Sequence, residues 1–201
     1  MKTVKPMLLL TAMTSLFFSC KKDSNTPSND LTKSIQGSYD FLSLKSNTLA
    51  TNVTISNGTI DSTINSIDAQ SSATSGTVTI AATLLHVSKF TSVITSIIYD
   101  ANYLNGILKQ ENEKSSQQTI PSVSNATTYK LIGNDSIYFE EGLISSPIIG
   151  IEGISGANIS WAGDTLVINS VSTKTDTTVI ATGIIKYSNR QASQVIKLKK
   201  K

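Results

Sequence analysis

The chain is short of the residues from which catalytic and metal sites are usually built. Its 201 residues include one cysteine, one histidine, one arginine and one tryptophan. A single cysteine excludes a disulfide framework and a thiolate metal cage. A single histidine, His86, would have to carry any Ser-His-Asp arrangement. No Gly-x-Ser-x-Gly elbow supplies a nucleophile; the nearest stretch, Gly142-Leu143-Ile144-Ser145-Ser146, lacks the closing glycine. Aromatic residues are 6% and Arg190 is the lone arginine, which excludes the basic, aromatic-rich patches that hold nucleic acid. Charged residues are only 15%, too few for a chain kept unfolded by its own charge. Charge-flanked apolar heptads are missing, and with them a coiled coil.

The other chemistry-bearing residues form weak patterns. Asp100-Ala101-Asn102-Tyr103-Leu104-Asn105-Gly106 opens like a calcium loop, but Leu104 takes the fifth place and no glutamate follows at the required spacing. An Asx-rich hairpin turn is the expectation there. Glu140 and Glu141 are adjacent, so on a strand they point to opposite faces and cannot flank one substrate together. Glu111 and Glu113 are a second carboxylate pair for which the spacing selects no partner. Gly150, Gly153 and Gly156 recur every three residues without the Gly-x-Gly of a dinucleotide site, and read as a loop. The chain is therefore expected to be no enzyme, with no cofactor and no metal.

What is abundant is serine and threonine, about a quarter of the chain, well above ordinary usage. Isoleucine and valine are also frequent, and β-branched residues suit a pleated sheet. Val78, Ile80 and Ala82 alternate with Thr77, Thr79 and Ala81; Ile196 and Leu198 alternate with Val195, Lys197 and Lys199. Val179 to Tyr187 also reads as one alternating run. Period two means one buried face and one wet face. Turn signals divide these runs: Asn57-Gly58, Gly133-Asn134-Asp135 and Ala162-Gly163-Asp164. Phe90, Val93, Ile94, Ile97, Ile98 and Ala101 fit a helical stripe. The same stretch also alternates and lacks good helix formers, so a strand is expected. Eight to ten strands with regular turn signals predict a sandwich or a barrel.

The N-terminus has Lys2 and Lys5, then an apolar run from Pro6 to Phe18, then Ser19-Cys20. That run is too short to span a membrane, which takes roughly 20 residues, and has the layout of a secretory signal. Leu16-Phe17-Phe18-Ser19-Cys20 resembles the lipobox of bacterial lipoproteins, and Lys21-Lys22-Asp23 is similar to the start of mature Bacteroidetes lipoproteins. The resemblance implies a signal peptide over 1–19 and Cys20 as a lipidated, palmitate-bearing N-terminus. It also implies an outer-membrane location, on either the periplasmic or the cell-surface face. Two or three acyl chains at about 0.8 kcal/mol per buried methylene make a durable anchor. Residues 20–34 are polar and turn-prone, and read as a flexible tether to a single all-β domain over 35–201.

Without Lys2 and Lys5 the formal charge of +3 falls to about +1. Six more lysines crowd the two ends of what remains, leaving nine basic residues against fourteen acidic ones between them. The body is mildly acidic, so the basic balance belongs to the tails.

Gly37-Ser38-Tyr39 resembles the Gly-x-Trp opening of lipocalin-like barrels, with Tyr39 in place of the Trp. The hairpins Tyr129–Phe139 and Trp161–Ile168 are similar to the strand-turn-strand units of lipocalin-like Bacteroidetes lipoproteins, and a polar insert around Ser66–Ser75 separates the early runs. The expected fold is an antiparallel meander barrel of about eight strands, with a β-sandwich as the alternative. The resemblance implies an interior holding side chains or one small apolar ligand or lipid, with Tyr39, Phe41, Trp161 and Tyr187 as its candidate lining. The alternative is a structural or protein-interaction lipoprotein with a filled core. Asp followed by Ser or Thr and a small or apolar residue occurs at Asp61-Ser62, Asp135-Ser136, Asp164-Thr165 and Asp176-Thr177. This resembles the O-glycosylation sequon of exported Bacteroidetes proteins and marks Ser62, Ser136, Thr165 and Thr177 as candidate glycan sites.

Overall fold

A computed structural model describes residues 35–140 and 155–201. Cys20, Glu141 and the Gly150/Gly153 loop lie outside the described residues. The fold is all-β, a closed antiparallel barrel in sequence order. Its strands are β1 Gly37–Ser56, β2 Thr59–Ile80, β3 Leu84–Leu104, β4 Ile107–Ile132, β5 Ser136–Phe139, β6 Gly156–Ala162, β7 Thr165–Ala181 and β8 Ile184–Lys200. β1 pairs with β8 to close the ring. A single closed meander takes the place of the two packed layers of a sandwich.

The turns form where their chemistry demands. Asn57-Gly58 and Asn105-Gly106 hold φ of 48° and 78°, and 49° and 76°. Positive φ at both central residues matches the right-handed twist of the flanking strands. The stretch read as one run from Val179 to Tyr187 is instead a hairpin: β7 ends at Ala181, Gly183 takes φ 82°, and Val179 pairs with Ile185. Alternation alone could not show the break, because Val179 and Ile185 keep the same parity across the turn. The ambiguous segment around Phe90–Ala101 is strand throughout, inside β3.

Strand lengths differ, and this shapes the molecule. β5 and β6 are short, so β4 meets β5 only at Tyr129–Ile132, and β6 meets β7 only at Asn158–Ala162. Near the base, all eight strands enclose a core that includes Tyr39, Phe41, Leu44, Phe90, Phe139 and Leu198. Farther along, β4-β3-β2-β1-β8-β7 continue as a six-stranded sheet. From Gly37 to Ser56 this amounts to about 60 Å at 3.3 Å per residue. The base is sealed by Ile35 and Tyr39, both fully buried. The Tyr39 hydroxyl donates to Ile35 O at 2.6 Å, and Lys200 Nζ stands 5.6 Å over the Trp161 ring.

Between barrel and sheet runs a band of bulges: Asp40/Lys45 in β1, Ser72/Thr77 in β2, and Val87/Ser92 in β3. Ala73 and Lys89 take left-handed φ of 47° and 52° within it. Bulges free backbone groups from the ladder, and hydroxyls take up several of them. Leu44 N donates to Ser71 Oγ at 2.7 Å, Thr74 Oγ1 donates to Leu42 O at 2.8 Å, and Lys89 N donates to Ser124 Oγ at 3.0 Å. This accounts for the polar stretch Ser66–Ser75, which is no insert but a continuous part of β2. At Gly76, with φ 123°, an added Cβ would sit 2.8 Å from Phe90 Cα. Gly76→Ala is therefore expected to cost about 2 kcal/mol or more, through strain and backbone displacement. Gly58→Ala, with no atom within 4 Å of its Cβ, should cost only about 1 kcal/mol. Urea denaturation of the two variants side by side checks the difference.

Candidate functional site

The barrel interior is the first place to look, and among the described residues its apolar core is closely packed. Phe41 and Phe90 pack with tilted rings, 4.6 Å between centroids, and the space among Phe41, Val78, Leu85, Val87, Ile168, Ile196 and Leu198 is about 10 Å³. That is room for one water at most. The four expected lining residues do not meet around a cavity. Tyr39 and Phe41 are buried core. Trp161 lies 6.3 Å from the Tyr39 ring at the base and is 40% exposed. Tyr187 sits beside Val53 near the far end of the sheet. The sequence identified residues of apolar character, but strand length and register put them in three different places.

Above the core the inward positions turn polar. Ser46, Thr48, Ser71, Ser92, Ser96, Ser170 and Gln194 are all buried. Ser46, Gln194 and Ser170 are register neighbours across β1, β8 and β7. Ser170 Oγ donates to Gln194 O at 3.4 Å, while Gln194 Nε2 has no hydrogen-bond partner among the described residues. Higher still, the inner face carries amides and charges: Asn65 Nδ2 donates to Asp100 Oδ1 at 2.5 Å, and Ser188 Oγ donates to Asn52 Oδ1 at 2.9 Å.

The outer face of the same sheet is its inverse. Leu108, Tyr103, Ser62, Val53, Tyr187 and Thr177 stand side by side from β4 to β7. Toward the tip, Ile60, Ile55, Ile185 and Val179 form the next row. Toward the barrel, Ile64 and Ala101 precede Leu49 and Tyr99. Ile60 is 43% exposed and Val179 70%. In β1 the apolar positions thus run 39, 41 and 44 inward, then 49, 53 and 55 outward. No register shift separates Lys45 from Ser56, so this second change of parity moves the apolar residues to the other face. That parity change was the signal available in the sequence.

Between apolar tip and barrel the outer face dips into a groove of about 540 Å³, lined by Lys45, Asn47, Asp68, Gln70, Thr95 and Ile97 among others. Asn47 Nδ2 donates to Asp68 Oδ1 at 2.5 Å across it. A second hollow of about 320 Å³ lies along β5, β6 and β7, between Ile132 and Val171. Among the described residues no three His, Cys, Asp or Glu side chains converge as metal ligands would. His86 is exposed on β3, and the Asp100–Gly106 stretch forms the strand end and hairpin turn before β4. Glu140 bonds Lys130 Nζ at 2.8 Å and the Thr128 hydroxyl at 2.8 Å, which hold its carboxyl below the usual range. Glu111 accepts the Tyr99 hydroxyl at 3.3 Å. The candidate glycan sites are scattered. Ser62 and Thr177 occupy the outer apolar row. Ser136 Oγ lies 2.9 Å from Asp135 and 3.1 Å from Asn158, and Thr165 Oγ1 lies 3.4 Å from Asp164.

No family model, curated protein or solved structure matches the chain.

Burial, and secondarily the charge of Tyr129, pushes the Tyr39 phenol up to about 12. An unfolded tyrosine ionises near pH 10. Between those values the unfolded chain releases a proton that the folded chain keeps. The contribution is therefore complete below pH 10 and is lost as pH rises toward 12, on the order of 2 kcal/mol. Urea midpoints measured near pH 9 and pH 12 should show this loss, and Tyr39→Phe should reduce it; the buried Tyr129, raised for the same reason, accounts for what remains.

Proposed function

We propose that the chain is a membrane-anchored, non-catalytic exported lipoprotein that acts through its surface. The single observation that carries this reading is the contrast between the two halves. Among the described residues, the apolar core of the closed half leaves about 10 Å³ between Phe41, Leu85 and Leu198. Among the described residues the open half is a single sheet layer presenting an apolar outer face. A carrier of apolar molecules needs a cavity of a few hundred Å³, whereas a large exposed apolar patch is the ordinary mark of an interaction surface. The lipobox-like Leu16–Cys20 supports the anchor. The described chain enters at the base, where Ile35 accepts the Tyr39 bond, and ends there too, with Lys201 N donating to Ser38 O at 3.0 Å. A lipid on Cys20 would thus hold the barrel end toward the membrane and the sheet outward.

Two mass measurements test this. Native mass spectrometry of the full-length chain from a bacterial envelope should show no apolar adduct beyond its own lipid. A stoichiometric adduct released on denaturation would overturn the surface reading in favour of a carrier. Intact mass of the same material should show a diacylglycerol and an acyl chain on Cys20, absent in Cys20→Ala. An unmodified Cys20 would overturn the anchor.

A further inference from the structure

We propose that the outer face of the distal sheet stacks on the same face of a second copy of this chain, forming a two-layer β-sandwich. The inference rests on the reading of this face as an interaction surface and names its occupant. A sheet with one apolar face is stable only when another layer covers it. The closed barrel meets that need at the base, but among the described residues the distal sheet is a single layer. Nothing else in the described chain reaches its apolar face. Both described ends lie at the base, about 60 Å from the Ile55–Ile60 row. The 14 residues between Cys20 and Ile35 span at most about 50 Å when fully extended. The connection from Glu140 to Ser155 leaves and returns on β5 and β6, which stand across the barrel from β1.

The face has the size and charge for self-association. Six strands about 4.8 Å apart and four outward rows about 6.8 Å apart cover roughly 700 Å². Two such faces bury about 1,400 Å², inside the range of stable protein interfaces. At the paired positions of these rows the charges are Glu111 and Glu113, both on β4, opposed in register by Ala101 and Tyr99 of β3; Lys109 is the extra residue of the bulge beside Leu108. The β7 positions in the same rows are Thr175 and Thr173. A two-fold axis parallel to the strands lays the β4 rim of one copy over the β7 rim of the other, so the glutamates meet threonines. An axis across the strands reverses the order of the rows and would lay Glu111 over Leu108 of the other copy, burying a carboxylate against an apolar side chain, which is costly. The charge pattern therefore selects the first axis, and that axis leaves both bases pointing the same way, as two chains anchored in one membrane require.

Sedimentation equilibrium of the full-length chain in density-matched detergent tests this, with lipid-vesicle-free samples across the micromolar range. The chain should be a dimer. Ile60→Lys and Tyr187→Lys, at outer positions exposed enough to tolerate the change, should each weaken it by about tenfold or more, with melts that match the wild type's at dilutions where all are monomeric. Thr178→Lys, at the inward register position beside Lys186, should leave it intact. A monomeric wild-type chain, a dimer that survives both outer lysines, or equal loss in the Thr178 variant would each overturn the proposal. A glycan mapped to Ser62 or Thr177 would overturn it as well, because it could not fit between stacked layers. A monomer free of apolar adduct would overturn the dimer and leave the surface reading standing; a stoichiometric adduct would overturn the surface reading itself.

Discussion

The band of bulges across β1, β2 and β3 is the constraint from which the rest of the molecule follows. Below it, eight strands curl tightly enough to close around Phe41, Phe90 and their neighbours. Above it, the β1–β2, β1–β8 and β2–β3 ladders run without register shifts, and six of the strands continue as an open sheet. An extra residue in a strand both bends it and releases backbone groups. Such a bend persists only if those groups find partners. Ser71, Thr74 and Ser124 provide them, and Gly76 lets β2 come against the backbone of Phe90. The hydroxyl-rich composition is therefore structural as well as solubilising.

The same band marks where the sheet turns its amphipathicity over. Inward positions are apolar below it, buried serines and Gln194 at it, and amides and charges beyond it. Outward positions go the other way, ending in the rows of Val53, Tyr103 and Tyr187. A closed barrel buries its inner face by geometry, so apolar residues belong there. An open sheet buries neither face, and residues placed on it are free to serve contact with something else. The filled base and the apolar outer tip are thus two outcomes of one change in curvature, and the functional reading follows from taking them together.

The candidate site was only partly legible in the sequence. Period-two alternation, the Asn-Gly turns and the β-branched composition indicate an all-β meander, and the described fold has that form. The aromatics Tyr39 and Phe41 were recognisable as interior residues. Trp161 and Tyr187 were indistinguishable from them by residue type, because exposure at the end of a strand depends on how far the neighbouring strands extend. The Val179–Tyr187 stretch looked continuous for a related reason: the two-residue turn exchanges parity, the register shift between Val179 and Ala181 restores it, and Val179 and Ile185 fall on one face in both readings.

What the sequence determined by itself was local: strand character from side-chain branching, turn positions from residues that accept positive φ, and the chemistry that one histidine and one cysteine cannot support. Tertiary structure alone decided where the barrel closes, that β5 and β6 stop short, and that the apolar residues of the distal strands share one outer face. Those are properties of pairing between strands as distant as β1 and β8, and register between distant segments depends on every bulge along both. A sequence records the parity of each strand; only the assembled ladder says which parity faces in.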